Sequence, residues 1–144
     1  MLDLYARHVL YNLLAAPLAI ATFGLVPEPW RRRLMIAALG VAAVVYLGGG
    51  LGAWEYPLAA ALGALAVLGR GSYAALGAGW LVHTASDAIH HAAGHPMVDS
   101  LPLSSFGCAV FDPLLAIWLF AGAPDTRAML DAAGRGVVRP RGAP

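Results

Sequence analysis

The stretch HTASDAIHH, residues 83–91, holds three of the five histidines in the chain together with Asp87. On a helix turning about 100° per residue, with His83 at zero, Asp87 falls near 40°, His90 near 340° and His91 near 80°. All four therefore share one stripe. Imidazole and carboxylate are the ordinary ligands of zinc, iron and manganese, so His83, Asp87, His90 and His91 are expected to hold a divalent metal ion, zinc first and iron second. Asp112 lies in the next apolar segment at a matching depth, and Glu55 opens an earlier one. Either could complete the ligand shell or act as general base. Ser105 stands two turns above Asp112 and is a candidate catalytic hydroxyl, although Ser104 and Ser105 most simply cap their helix. Cys108, between Ser105 and Asp112, reads as a small packing residue. His8, with Asn12 one turn deeper on the same face, is expected to line a cofactor or substrate site. His95 and Asp99, in GHPMVDSLP, read as plain loop residues.

The elements that must position these groups are strongly apolar. Of 144 residues, 60% are hydrophobic and 12% charged, and the mean hydropathy is +0.69. A soluble domain carries about a quarter charged residues, so the composition asks for lipid as solvent. A net charge of +1 leaves no footprint for nucleic acid. One cysteine excludes an internal disulfide framework. The opening MLDLYARHVLYN lacks the basic start and cleavage site of a signal peptide, so the first helix is expected to be retained.

Membrane helices need about 20 mainly apolar residues, within a range of about 17 to 25. Five segments meet or approach this: 4–26, 34–46, 53 or 54 to 68, 72–92 and 104–121. The expected fold is all-α, a polytopic bundle of five transmembrane helices over residues 1–123. A polar, partly disordered tail with a short surface helix follows over 124–144. Arg31, Arg32, Arg33, Arg70, Arg127, Arg135, Arg139 and Arg141 then share one side, with Arg7 alone on the other. The positive-inside rule puts the N-terminus outside and the C-terminus in the cytoplasm, in a bacterial inner membrane. The RRR run reads as a surface anchor. All five histidines gather in the outer half, where ionisable groups need pairing, water or a metal.

GWLVHTASDAIHH followed by PLSSFGCAVFDPLLAIWLF resembles a family of small bacterial integral membrane proteins of unknown function, over most of the chain from the first helix to the fifth. More loosely, the pattern is similar to membrane metal hydrolases of the alkaline-ceramidase type. That resemblance implies a zinc site built from His83, His90 or His91, with Asp87 or Asp112 assisting and Ser105 nearby. The chain departs from those hydrolases in having fewer helices and in crowding its histidines on one of them. The HxxHH boxes of membrane di-iron hydroxylases are also similar, but those need about eight histidines.

The leading expectation is a metal-dependent membrane hydrolase of a lipid or amphiphile. The bilayer and that small molecule would be its partners, with a homo-oligomer allowed. The alternatives are a metal-, haem- or pigment-binding subunit, with His8 and His90 the one tempting haem pair, and a proton-conducting or structural oligomer.

Overall fold

The computed structural model describes residues 2–98 and 100–137. Six helices and no strands are found among them. These are α1 Leu2–Gly24, α2 Trp30–Val45 continued by a 3-10 turn Tyr46–Gly48, α3 Glu55–Leu68, α4 Tyr73–Ala92, α5 Ser104–Phe120 and α6 Thr126–Val137. The five expected bundle helices are present, each within a few residues of its expected bounds.

Residues 25–29, 49–54 and 69–72 are short connections that favour antiparallel neighbours, and the longer 93–103 joins α4 to α5. Helix α4 packs on α5, α3 and α2, while α1 lies against α5. On α2 the buried residues Met35, Leu39, Ala43 and Tyr46 recur every three or four positions, which is one helical face. They meet Leu62 and Ala66 of α3, Leu76 and Trp80 of α4, and Leu115 and Leu119 of α5 in one core. Close approach depends on missing side chains. A Cβ on Gly79 would overlap Leu39, and one on Gly77 would stand 3.1 Å from the Ala116 carbonyl oxygen.

The bundle has two unlike ends. At the arginine end, Arg31 is buried and donates to the Gly24 carbonyl at 3.4 Å. Arg32 lies 4.0 Å over the Tyr73 ring and donates to the Gly69 carbonyl at 3.4 Å. The RRR run is therefore more than a surface anchor, since two of its guanidinium groups tie the α1–α2 and α3–α4 connections together. Ser72 caps α4 there, accepting from the Ala75 N–H at 3.2 Å. At the histidine end, the α2–α3 connection turns through Gly50 and Gly52, at φ +83° and +107°, a region glycine enters without penalty.

The expected surface helix in the tail is α6. Asp125 caps it through the Ala128 N–H at 2.8 Å, and the Thr126 hydroxyl donates to the Ala21 carbonyl at 2.6 Å. The disorder expected late in the tail, with Arg139 and Arg141, falls outside the described residues. Among the described residues, no helix is long and apolar enough to cross a membrane. Helices α2, α3 and α5 have 16, 14 and 17 residues. The longer α1 and α4 carry Arg7, His8 and Asn12, and the histidine stripe, respectively. The fold class stands as an all-α bundle; its five membrane spans are not part of that finding.

Candidate metal centre

The stripe on α4 is real, but its side chains do not converge on one point. His83 and Asp87 turn toward α5 and meet Asp112. His83 Nε2 is 3.7 Å from Asp87 Oδ2 and 3.6 Å from Asp112 Oδ2. With Cys108 they form a group whose potential ligand atoms all lie within 4.8 Å of one another. The expected approach of His83 to Asp112 is found.

Tyr46 organises this cluster. Its hydroxyl donates to Asp87 Oδ1 at 2.6 Å and lies 2.7 Å from His83 Nδ1. A phenol carries one proton. With that proton on the Asp87 side, the phenolic oxygen accepts from His83 Nδ1–H. His83 Nε2 is then a free lone pair facing two carboxylate oxygens. Fixing the tautomer through the far nitrogen is how ligating histidines are normally held. The rings of Tyr46 and Trp80 meet His83 edge-on, with centroids 5.4 and 5.3 Å away. Asp112 Oδ2 is buried without a hydrogen-bond partner. Three acceptor atoms facing one another with no donor among them need a cation or a proton at their centre.

The remaining candidates are distributed otherwise. His90 turns away from Asp112 toward α3, where its Nε2 stands 3.1 Å from Glu55 Oε1. His91 packs against Tyr5 and Phe106, at centroid distances of 5.7 and 5.1 Å, and is not brought to the cluster. Helical angle places Cα atoms, whereas the neighbours on each side decide where the rings go. Ser105 is buried but accepts from the Met97 N–H at 3.1 Å, and Ser104 accepts from the Val98 N–H at 3.3 Å. Both hydroxyls bind the loop before α5 instead of capping α5 itself, whose N-cap is Leu103.

Asn12 donates to the His8 carbonyl at 2.8 Å. His8 and Asn12 line a groove between α1 and α5, with a volume of about 480 Å³, together with Leu4, Tyr11, Leu101, Leu103 and Cys108. His8 and His90 thus face different neighbours and do not form the tempting haem pair. His95 is exposed, as a loop residue should be, but its backbone holds His90: its carbonyl lies 3.2 Å from His90 Nδ1. Asp99 lies outside the described residues. Two members of the cluster, Tyr46 and Cys108, were not legible as site residues. A tyrosine at a helix end beside glycines reads as an interface anchor, and a lone cysteine in a helix reads as packing.

Residues 7–125 match a family of unknown function (DUF6010). The chain belongs to that family. The match runs from the first turns of α1 past the end of α5, so every residue of the cluster in this DUF6010 chain lies inside it, and α6 lies outside. No curated protein and no solved structure matches the DUF6010 chain, so the likeness to alkaline-ceramidase-type hydrolases gains no support.

Proposed function

We propose that this DUF6010 protein is an integral membrane metal protein. In this reading His83, Asp87 and Asp112 hold a divalent ion, zinc or iron, that activates water to hydrolyse a lipid or amphiphile. The observation that carries the proposal is the meeting of His83 Nε2 with two carboxylate oxygens at 3.6 and 3.7 Å, with the imidazole tautomer fixed by Tyr46. An ion held there would supply activated water, its pKa lowered toward about 7. Asp87 is engaged by Tyr46, so Asp112 is the carboxylate left to take a proton. Cys108 belongs both to the cluster and to the lining of the α1–α5 groove, so a substrate in that groove would lie beside the cluster. The apolar walls at Leu4, Tyr11 and Leu103 suit an acyl chain, with His8 and Asn12 beside its polar end.

Lipid as the surrounding medium is supported by the outward faces. Leu10, Leu14 and Leu18 on α1 are 60%, 66% and 70% exposed, an apolar stripe turned away from the core. The 23 residues of α1 and 20 of α4 extend about 34 and 30 Å, close to the hydrocarbon thickness of about 30 Å. The polar residues that lower the apolarity of α4 include Ser86, Asp87 and His90, all buried, which spares the lipid face. Arg31, Arg32 and Arg33 in the first turn of α2 and Arg70 before α4 lie at one end, consistent with a cytoplasmic C-terminus.

The test is elemental analysis of detergent-purified protein, followed by hydrolysis of a fluorogenic lipid ester in vesicles by the wild type and Asp112→Asn. Metal in the wild type with activity lost in Asp112→Asn supports the reading. Metal-free protein, or full activity in Asp112→Asn, defeats it. The hydrogen-bonded chain His83–Tyr46–Asp87 also suits proton conduction. Proton flux in liposomes from metal-free protein would favour that second reading.

A further inference from the structure

The Glu55–His90 pair sits apart from the cluster, with the Tyr46 ring between: its centroid is 5.4 Å from both His83 and His90. Glu55 is 5% exposed and His90 is fully buried. Their facing atoms, Oε1 and Nε2, are 3.1 Å apart, yet both are buried without a hydrogen-bond partner. At that separation the missing bond is a matter of direction, because an N–H on Nε2 does not point at the carboxylate oxygen. Two buried ligand atoms this close, with no hydrogen bond between them, are both left free to bind a third centre. Zinc holds nitrogen and oxygen ligands at about 2.0–2.2 Å, so two of them on a tetrahedral ion stand about 3.4 Å apart. The observed spacing is near that value.

The surroundings suit ligation. His90 Nδ1 faces the His95 carbonyl at 3.2 Å, and a carbonyl can only accept, so Nδ1 carries a proton and the neutral imidazole presents Nε2 as a lone pair. Glu55 Oε2 accepts from the Leu51 N–H at 3.3 Å, which leaves Oε1 as the free oxygen. Gly49 backs the pair, and a Cβ there would overlap Glu55 and crowd His90. The His95 ring lies beside the same turn, its Nδ1 3.8 Å from where a Cβ on Gly50 would stand.

We propose that Glu55 and His90 form a second divalent-cation site of zinc type, separate from the His83–Asp87–Asp112 cluster. The experiment is a zinc titration of the detergent-purified full chain by calorimetry, on the wild type, Glu55→Gln and Asp112→Asn. Two equivalents in the wild type, with one retained in each variant, is the expected result. Should the deep cluster bind nothing, the wild type and Asp112→Asn would each bind one equivalent and Glu55→Gln none, which sinks the proposed function and leaves this site standing. Unchanged stoichiometry in Glu55→Gln overturns the second site. Should Glu55→Gln not fold, the other two proteins decide. An equivalent that survives Asp112→Asn supports the site, and a single wild-type equivalent abolished by Asp112→Asn removes it.

Discussion

At the scale of single residues, Tyr46 has the largest consequence for its size. It connects His83 Nδ1 to Asp87 Oδ1 across 2.7 and 2.6 Å, so in the proposed centre it sets both the tautomer of His83 and the orientation of Asp87. Replacing it by phenylalanine keeps the ring in the core and removes only the hydroxyl. Loss of such a supporting contact typically lowers metal affinity about 10- to 100-fold, and Tyr46→Phe is expected to fall in that range in a competition titration with a chelator. Unchanged affinity would show that the hydroxyl does not orient the ligands. Cys108 tests whether the thiol is a fourth ligand. Cys108→Ser is expected to keep the bound metal, because the three ligands assigned to the ion lie elsewhere. Loss of metal in that variant would instead indicate a closed four-ligand site, the form of structural zinc centres.

Helices as units decide which residues meet. The five bundle helices were legible because their apolar runs are long and bounded by PEPWRRR, GGGLG, GRG and the proline-containing loop before α5. The meeting of His83 with Asp112 was legible too, since each stands about two turns from the loop that joins α4 to α5. The division of the α4 stripe was not. His90 and His91 are adjacent in sequence, yet α3 draws one ring and α1 with α5 the other, and that choice belongs to the neighbours' packing. The α2–α4 crossing rests on Gly79, where an added methyl would overlap Leu39. Overpacking of a tight core costs about 1–3 kcal/mol, so Gly79→Ala should lower the midpoint of thermal unfolding followed by circular dichroism. Ser72→Ala, which removes the α4 cap at 3.2 Å, should cost about 1 kcal/mol. An unchanged midpoint in both variants would mean that α4 is held by other contacts.

For the whole molecule, polar groups that could do chemistry gather at the histidine end and in the interior, arginines mark the other end, and apolar side chains face outward. Composition and arginine placement made that polarity readable in the sequence. The tie of Arg31 and Arg32 to two connections was not readable, because it depends on where the Gly24 and Gly69 carbonyls end up. A chain with this outward face is expected to sediment with membranes, to resist alkaline carbonate and to be released by detergent. Recovery as a monodisperse species in detergent-free buffer would contradict the lipid setting and assign the outward face to some other cover. Whether His83, Asp87 and Asp112 hold a metal ion is decided by counting zinc per chain. The wild type and His83→Ala would each be equilibrated with zinc and freed of excess. One zinc per chain fewer is expected in His83→Ala; equal contents in the two proteins, or no zinc in the wild type, would show that the cluster holds none.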